Sequence, residues 1–193
     1  IRRTLRCEWS PLGHLGTSLQ GKRLGIFGMG RIGEAVARRA RAFGLDLAYT
    51  ARNEHAGIES ETGARRASLE ELLATSDILS IHAPLTQETQ RLFSAATLRR
   101  MKSGSYLINT ARGPIVDEEA LCDALESGHL RGAGLDVYEL EPVVNPRLRS
   151  MRQVVILPHI GSATEEARTA MARIAATNVR LVLKGRAPLN AVT

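Results

Sequence analysis

Cysteine is nearly missing from these 193 residues: Cys7 and Cys122 stand far apart, with no partner spacing. A disulfide framework or a zinc site is therefore not expected, and a reducing cytosol is the expected setting. Aromatic residues are only 4% of the chain, too few for the stacking platforms that hold single-stranded nucleic acid. The formal charge of +6 invites a nucleic-acid partner, but only three of the 26 basic residues are lysine. The arginines, among them Arg38, Arg39, Arg41, Arg99 and Arg100, scatter over expected helix faces instead of forming a phosphate-tracking stripe. No nucleic-acid partner is expected. No apolar run approaches the roughly 18–20 residues that span a bilayer, so no membrane role is expected either. The basic start Ile1-Arg-Arg-Thr-Leu-Arg6 is followed by no apolar stretch, which argues against a secretory signal. The first residue is not Met, and the chain is read as a fragment.

What the chain does have is alternation. After an arm over residues 1–20, marked by Ser10-Pro11-Leu12-Gly13, short β-rich runs alternate with amphipathic stretches. That pattern predicts a parallel sheet covered by helices. Strands are expected at Arg23–Phe27, Leu45–Thr50, Asp77–His82, Tyr106–Asn109, Gly134–Tyr138 and Val154–Leu157. A helix is expected over Arg31–Phe43, with Ile32, Val36, Ala40 and Phe43 on its buried face. Ser68–Glu71 reads as a capping box opening a short helix, and Thr97–Met101 as another. Asp117 should cap a helix that closes near Gly128. Ser162–Glu165 reads as a second capping box, opening a long helix to about Leu183. The fold class is α/β, a doubly wound parallel sheet. The dinucleotide-binding domain is expected over residues 21–183 and a tail over 184–193.

Gly28-Met-Gly30-Arg-Ile-Gly33 fits G-x-G-x-x-G and sits between an expected strand and an expected helix. Gly28 allows the tight turn, Gly30 the approach of a pyrophosphate, and Gly33 close helix–strand packing. Backbone N–H groups near Arg31 and Ile32 would then face the phosphates. A carboxylate about 20 residues past the loop would hold an NAD ribose, yet the sequence there is Tyr49-Thr-Ala-Arg-Asn53. Asp46 comes too early in its strand to serve. Arg52 is placed to pair with a 2′-phosphate, which points to NADP, with NAD as the alternative.

Further motifs follow in order: Ala83-Pro-Leu-Thr-Gln-Glu-Thr89, Asn109-Thr-Ala-Arg-Gly113, Gly134-Leu-Asp-Val-Tyr-Glu-Leu-Glu-Pro142 and Leu157-Pro-His-Ile-Gly-Ser-Ala-Thr164. With the glycine loop, they resemble the D-isomer-specific 2-hydroxyacid dehydrogenases over roughly residues 21–185. Within that family the likeness is greatest to glyoxylate/hydroxypyruvate reductases. The resemblance implies hydride exchange between a nicotinamide cofactor and a small 2-keto acid. It implies catalytic roles for Arg112, Glu141 and His159, with Glu139 competing for the role of Glu141. It also implies cofactor contacts at Arg31, Ile32, Arg52, Ala83, Pro84, Thr89, Thr110, Ala111, Arg112, Asp136 and Gly161.

The chemistry suits these residue types. His159 can give the keto oxygen a proton near neutral pH, and a Glu141 carboxylate beside it would favour the charged imidazolium. Arg112 can hold a carboxylate or keto oxygen through two parallel hydrogen bonds. His14, His55, His82 and His129 lack such context and are expected to be structural.

Relatives of this kind carry a substrate domain, which is expected to be missing here, and they pair as homodimers. The apolar arm residues Trp9, Leu12, Leu15 and Leu19 fit a dimer contact. The competing reading is a dinucleotide-sensing, corepressor-like interaction protein, or a cofactor-binding domain without turnover. A formate-type enzyme would carry Gln at position 141 and is disfavoured.

Overall fold

The computed structural model describes residues 15–191. Seven strands, all parallel, form one sheet in the order β3-β2-β1-β4-β5-β6-β7. They are β1 (Arg23–Phe27), β2 (Asp46–Thr50), β3 (Arg65–Arg66), β4 (Ile78–Ile81), β5 (Ser105–Asn109), β6 (Leu130–Leu135) and β7 (Val154–Ile156). The helices are α1 (Arg31–Arg41), α2 (Ala56–Thr62), α3 (Leu69–Thr75), α4 (Ala95–Arg99), α5 (Glu118–Glu126), α6 (Pro146–Ser150) and α7 (Glu165–Leu183). The order runs outward from β1 in one direction and from β4 in the other. The junction of β1 and β4 is therefore the switch point, where open α/β sheets leave a crevice at the carboxyl edge. The doubly wound expectation holds.

Parallel strands buried on two faces need two cores, and the sheet has them. On one face Leu79, Ile81, Leu107 and Leu135 meet Leu72, Leu73, Leu121 and Leu125 from α3 and α5. Phe27 meets Phe93 edge-on there, with ring centroids 5.4 Å apart. On the other face Leu24, Ile26, Leu47 and Tyr49 pack with Ala37 and Ala40 of α1 and with Ile58 of α2. Each fully buried large aliphatic side chain contributes about 1.5–3 kcal/mol, so these layers dominate the fold's stability.

Several expectations need correction. The buried face of α1 carries Gly33, Ala37 and Ala40, whereas Ile32 and Phe43 are 65% and 61% exposed. Close approach of Gly33 to the loop before it sets the helix phase, and this overrides apolar size. The strand expected at Gly134–Tyr138 is β6, which starts at Leu130 and ends at Leu135. Beyond Leu135 the chain leaves the ladder, although Val137 and Tyr138 are good strand formers. The cap of α7 is Thr164, whose side chain accepts the Ala167 N–H; Ser162 lies outside the helix. The caps at Ser68 and Asp117 form as expected, and Gly128 closes α5 at φ +73°. Helices α2 and α6 and strand β3 had no expectation. They are short, and α6 begins at Pro146 in a segment with no apolar period. Among the described residues no helix is long and apolar enough to cross a membrane.

Candidate active site

The candidate residues lie at one edge of the sheet, on loops and on the first turn of α1, because every parallel strand delivers its carboxyl end there. Gly28 follows β1, Ala83 follows β4, Arg112 follows β5, Asp136 and Glu141 follow β6, and His159 follows β7.

The glycine loop is tightly built. Gly28 has φ +97°, and a Cβ on it would lie 2.6 Å from the Ala83 nitrogen. Only glycine lets the loops after β1 and β4 meet so closely. A Cβ on Gly33 would fall on the Gly28 carbonyl oxygen at 2.2 Å, whereas nothing lies within 4 Å of one on Gly30. Gly30 is also the N-cap of α1 and offers no side chain to its first-turn N–H groups. Ser68, Asp117, Asn145 and Thr164 cap α3, α5, α6 and α7, whereas the short α2 and α4 also start without a side-chain cap. An uncapped helix start beside an open glycine suits an anion, and the residues present fit a dinucleotide pyrophosphate. Arg31 and Ile32 are both exposed at this helix start.

Asp46 begins β2, where it pairs with Arg23 and Arg65 at the opposite edge of the sheet. Arg52 lies beyond the other end of β2, exposed, and its side chain has no partner among the described residues. Sequence reasoning missed its neighbour Arg66, whose guanidinium donates to the carbonyls of Ala51 and Arg52 and pairs with Glu54. Arg66 thus braces the loop that presents Arg52. Nothing in the sequence pattern announced it, since β3 is only two residues long. In the loop after β4, the Thr89 hydroxyl donates to the Pro84 carbonyl and accepts the Thr86 N–H. Thr89 therefore shapes the turn that carries Ala83 and Pro84.

The turn carrying Thr110, Ala111 and Arg112 is braced by Asn109, which is 1% exposed. Its amide donates to the Arg112 carbonyl and its oxygen accepts the Ala111 N–H, both at 3.0 Å. Asn109 belongs to a motif quoted above, but a brace cannot be told from a strand end by sequence alone. Arg112 is exposed and spends one N–H on the Ala111 carbonyl; its other donors have no partner among the described residues. Gly113 then packs so tightly that a Cβ would sit 1.9 Å from the Tyr138 carbonyl. The Arg112 turn is thereby seated on the segment that holds Glu141.

His159 Nδ1 lies 2.8 Å from Glu141 Oε2, and Glu141 Oε1 accepts the Tyr138 N–H at 3.0 Å. The hydrogen bond from His159 is the main cause that holds the Glu141 carboxyl below its ordinary range, and Arg112 adds to it. Glu139 is engaged elsewhere: it pairs with Arg91 at 2.8 Å, and Arg91 also pairs with Asp117. Burial pushes the Glu118 carboxyl up, and its Oε1 accepts the Glu139 N–H at 2.6 Å. Glu141, not Glu139, is therefore the carboxylate at the imidazole. His159 itself has φ +54°, a left-handed conformation that costs a non-glycine residue about 1–3 kcal/mol unless its surroundings hold it. Asp136 is buried, with both oxygens turned to the Ile160 and Gly161 N–H groups.

The other described histidines have structural partners. His55 meets Glu34, His129 faces the Leu98 carbonyl, and His82 bonds Ser80, with burial lowering its pKa. His14 lies outside the described residues.

Residues 2–161 match the family model described as D-isomer specific 2-hydroxyacid dehydrogenase, NAD binding domain. The chain is 48% identical over 184 residues to a glyoxylate reductase of Thermococcus litoralis, covering 95% of this chain and 56% of that protein. A solved glyoxylate reductase from Paecilomyes thermophila is 42% identical, with a TM-score of 0.88, over 96% of this chain and 57% of that one. The D-lactate dehydrogenase of Escherichia coli, 32% identical, superposes with a TM-score of 0.91 over 100% of this chain and 60% of that one. The chain thus spans little more than half the length of the relatives it matches. On the extent of this match and the loops that carry it, the chain belongs to the D-isomer specific 2-hydroxyacid dehydrogenases, within their NAD binding domain.

Proposed function

We propose that the protein reduces a small 2-keto acid of the glyoxylate or hydroxypyruvate type to its 2-hydroxy acid, using NADPH. The observation that carries this reading is the His159–Glu141 pair at 2.8 Å, beside the Arg112 turn. When bound, the nicotinamide supplies hydride to the keto carbon. His159 supplies the proton for the oxygen, and Glu141 fixes the ring through Nδ1 and leaves Nε2 toward the substrate. The free donors of Arg112 hold the substrate carboxylate or keto oxygen in a fixed fork. The loops bearing Ala83, Pro84, Thr89, Thr110, Ala111, Asp136 and Gly161 form the rest of the cofactor crevice, in the order that the strands deliver them. The test is an assay of the whole protein for NADPH and NADH oxidation against glyoxylate, hydroxypyruvate and pyruvate. Oxidation with none of the three would overturn the reading.

Preference for NADPH over NADH is supported by Arg52, by Arg66 behind it, and by the lack of a carboxylate at the end of β2. Replacing Arg52 with Ala is expected to weaken NADPH binding by roughly 1–3 kcal/mol, the loss of a charged hydrogen-bond partner. NADH binding should hardly change. Fluorescence titration of both cofactors against both proteins checks this, and equal affinities throughout would remove the preference.

The reading extends to a homodimer in the cytoplasm. Leu15 and Leu19 of the arm are 77% and 40% exposed, while Trp9 and Leu12 lie outside the described residues. Leu19 also lines a shallow cavity with Ile78, Tyr106 and Ile108 on a stretch of sheet. Such apolar surface favours a second copy packed by two-fold symmetry. Light scattering at tens of micromolar is expected to give twice the chain mass; a monomer would end this part of the proposal. The one described cysteine, Cys122, is buried and its thiol is pushed up to about 11, so it stays reduced and inert in such a compartment.

A further inference from the structure

The segment that follows β6 grips the loop that follows β7. Asp136 is 3% exposed, and its two carboxylate oxygens accept the N–H groups of Ile160 at 2.8 Å and Gly161 at 2.7 Å. A buried carboxylate needs such donors, and charge-assisted bonds to two consecutive amides are a firm fixing. Two residues further on, the buried Tyr138 donates its hydroxyl proton to the Leu157 carbonyl at 2.6 Å. The backbone is therefore held on both flanks of His159, by its carbonyl on one side and by its amides on the other. Between these two grips His159 keeps its left-handed backbone at φ +54°. The Tyr138 N–H also reaches Glu141 Oε1. One short segment thus sets the position of both members of the His159–Glu141 pair.

We infer that Asp136 is a positioning residue, which fixes the left-handed backbone of His159 through the Ile160 and Gly161 amides and so aims its ring at Glu141. The consequence for rate rests on the reductase reading above; the geometry does not. A purely cofactor-contacting Asp136 would leave the loop intact when replaced and would lower cofactor affinity. Gly161 fits the positioning role as well, since a Cβ there would press on Asp136 Oδ2 at 3.1 Å. An Asn at 136 keeps one acceptor but turns an NH2 group toward the second amide, so it should break one of the two bonds and strain the other.

The experiment has two arms. In the isotope-labelled chain, the Ile160 and Gly161 amides are expected to be protected from exchange, with contacts between the His159 ring and Glu141. Asp136→Asn should weaken both features, and Asp136→Ala should abolish them. In the whole enzyme with saturating NADPH, kcat for keto-acid reduction is expected to fall by up to about 10²-fold, the cost of a catalytic group displaced by about 1 Å. Any loss of cofactor affinity should be smaller than the fall in kcat. Unaltered amides in the variants, or a loss of affinity with kcat preserved, would overturn the inference. If the loop loosens as expected and the whole protein reduces no keto acid, the positioning role stands and the reductase reading fails. Should both Asp136 variants fail to fold, Tyr138→Phe decides. It keeps the ring in the core and removes the hydroxyl's short bond to Leu157, along with a longer one to the Leu135 carbonyl at 3.2 Å, so the His159–Glu141 contact should weaken, and an unchanged contact would count against the clamp.

Discussion

His159→Ala is expected to leave NADPH binding intact while cutting keto-acid reduction by about 10²–10⁴-fold, the usual contribution of a general acid. The expectation follows from where the side chain sits. It lies on the loop after β7, away from the glycine turn and the helix start that suit the pyrophosphate, and it is half-exposed on the open side of the crevice. Removing the ring therefore takes away a proton donor without removing a wall. Glu141→Gln separates orientation from charge. The Glu141 carboxyl is held below its ordinary range, chiefly by His159, so it stays ionised at neutral pH and protonates only as pH falls well into the acid range. The stability linked to this contact is present above the ordinary Glu value and is lost as pH falls through the depressed one. The glutamine keeps the shape but takes the negative charge from beside the ring, so the imidazolium loses support. Reduction should then fall off at lower pH than in the unaltered enzyme. A pH–rate profile of both proteins measures this. An unmoved profile would strip Glu141 of the tuning role, and full activity in His159→Ala would end the mechanism.

How far the sequence carried depended on the kind of signal. Strand β1, the helix after it and the caps at Ser68 and Asp117 were legible because each rests on local chemistry: β-branched and apolar runs, glycine punctuation, and a side chain bonding three residues ahead. The burial phase of α1 was not, because Gly33 is chosen for contact with the Gly28 carbonyl, and a missing side chain leaves no mark in apolar periodicity. The end of β6 was misplaced for a similar reason. Val137 and Tyr138 look like strand residues, but Asp136 and Tyr138 are committed to the loop after β7, a partner 19 to 25 residues away. The site residues were named through the family resemblance, which also favoured Glu141 over Glu139 because it directly precedes Pro142; what the sequence did not show is the Arg91 ion pair that engages Glu139, since it joins positions 48 residues apart. Local rules found the elements, and contacts between distant residues lay beyond them.

The glycine loop offers a test that separates folding from binding at two positions three residues apart. In Gly33→Ala the new Cβ would sit 2.2 Å from the Gly28 carbonyl oxygen and 3.3 Å from Ile26 Cγ2. Neither neighbour can yield cheaply, since one is backbone and the other belongs to the buried core. Forcing α1 away from β1 is expected to cost about 1–3 kcal/mol or more, as overpacking does. For a chain of this length each kcal/mol lowers the melting temperature by roughly 2–4 °C. In Gly30→Ala the Cβ meets nothing within 4 Å, and the backbone at φ −82° suits alanine. Its stability cost is confined to the cap, about 1 kcal/mol or less. The open space above Gly30 is where a pyrophosphate would approach, and a methyl group there stands between it and the N–H groups of the first turn of α1. Losing one such charged hydrogen bond costs about 1.5–3 kcal/mol, roughly 10- to 150-fold in cofactor affinity. Gly33→Ala should therefore show mainly in thermal unfolding, and Gly30→Ala mainly in a cofactor titration. If Gly30→Ala binds both cofactors as the unaltered chain does, the phosphates do not approach at this turn, and the crevice must be entered elsewhere along the carboxyl edge.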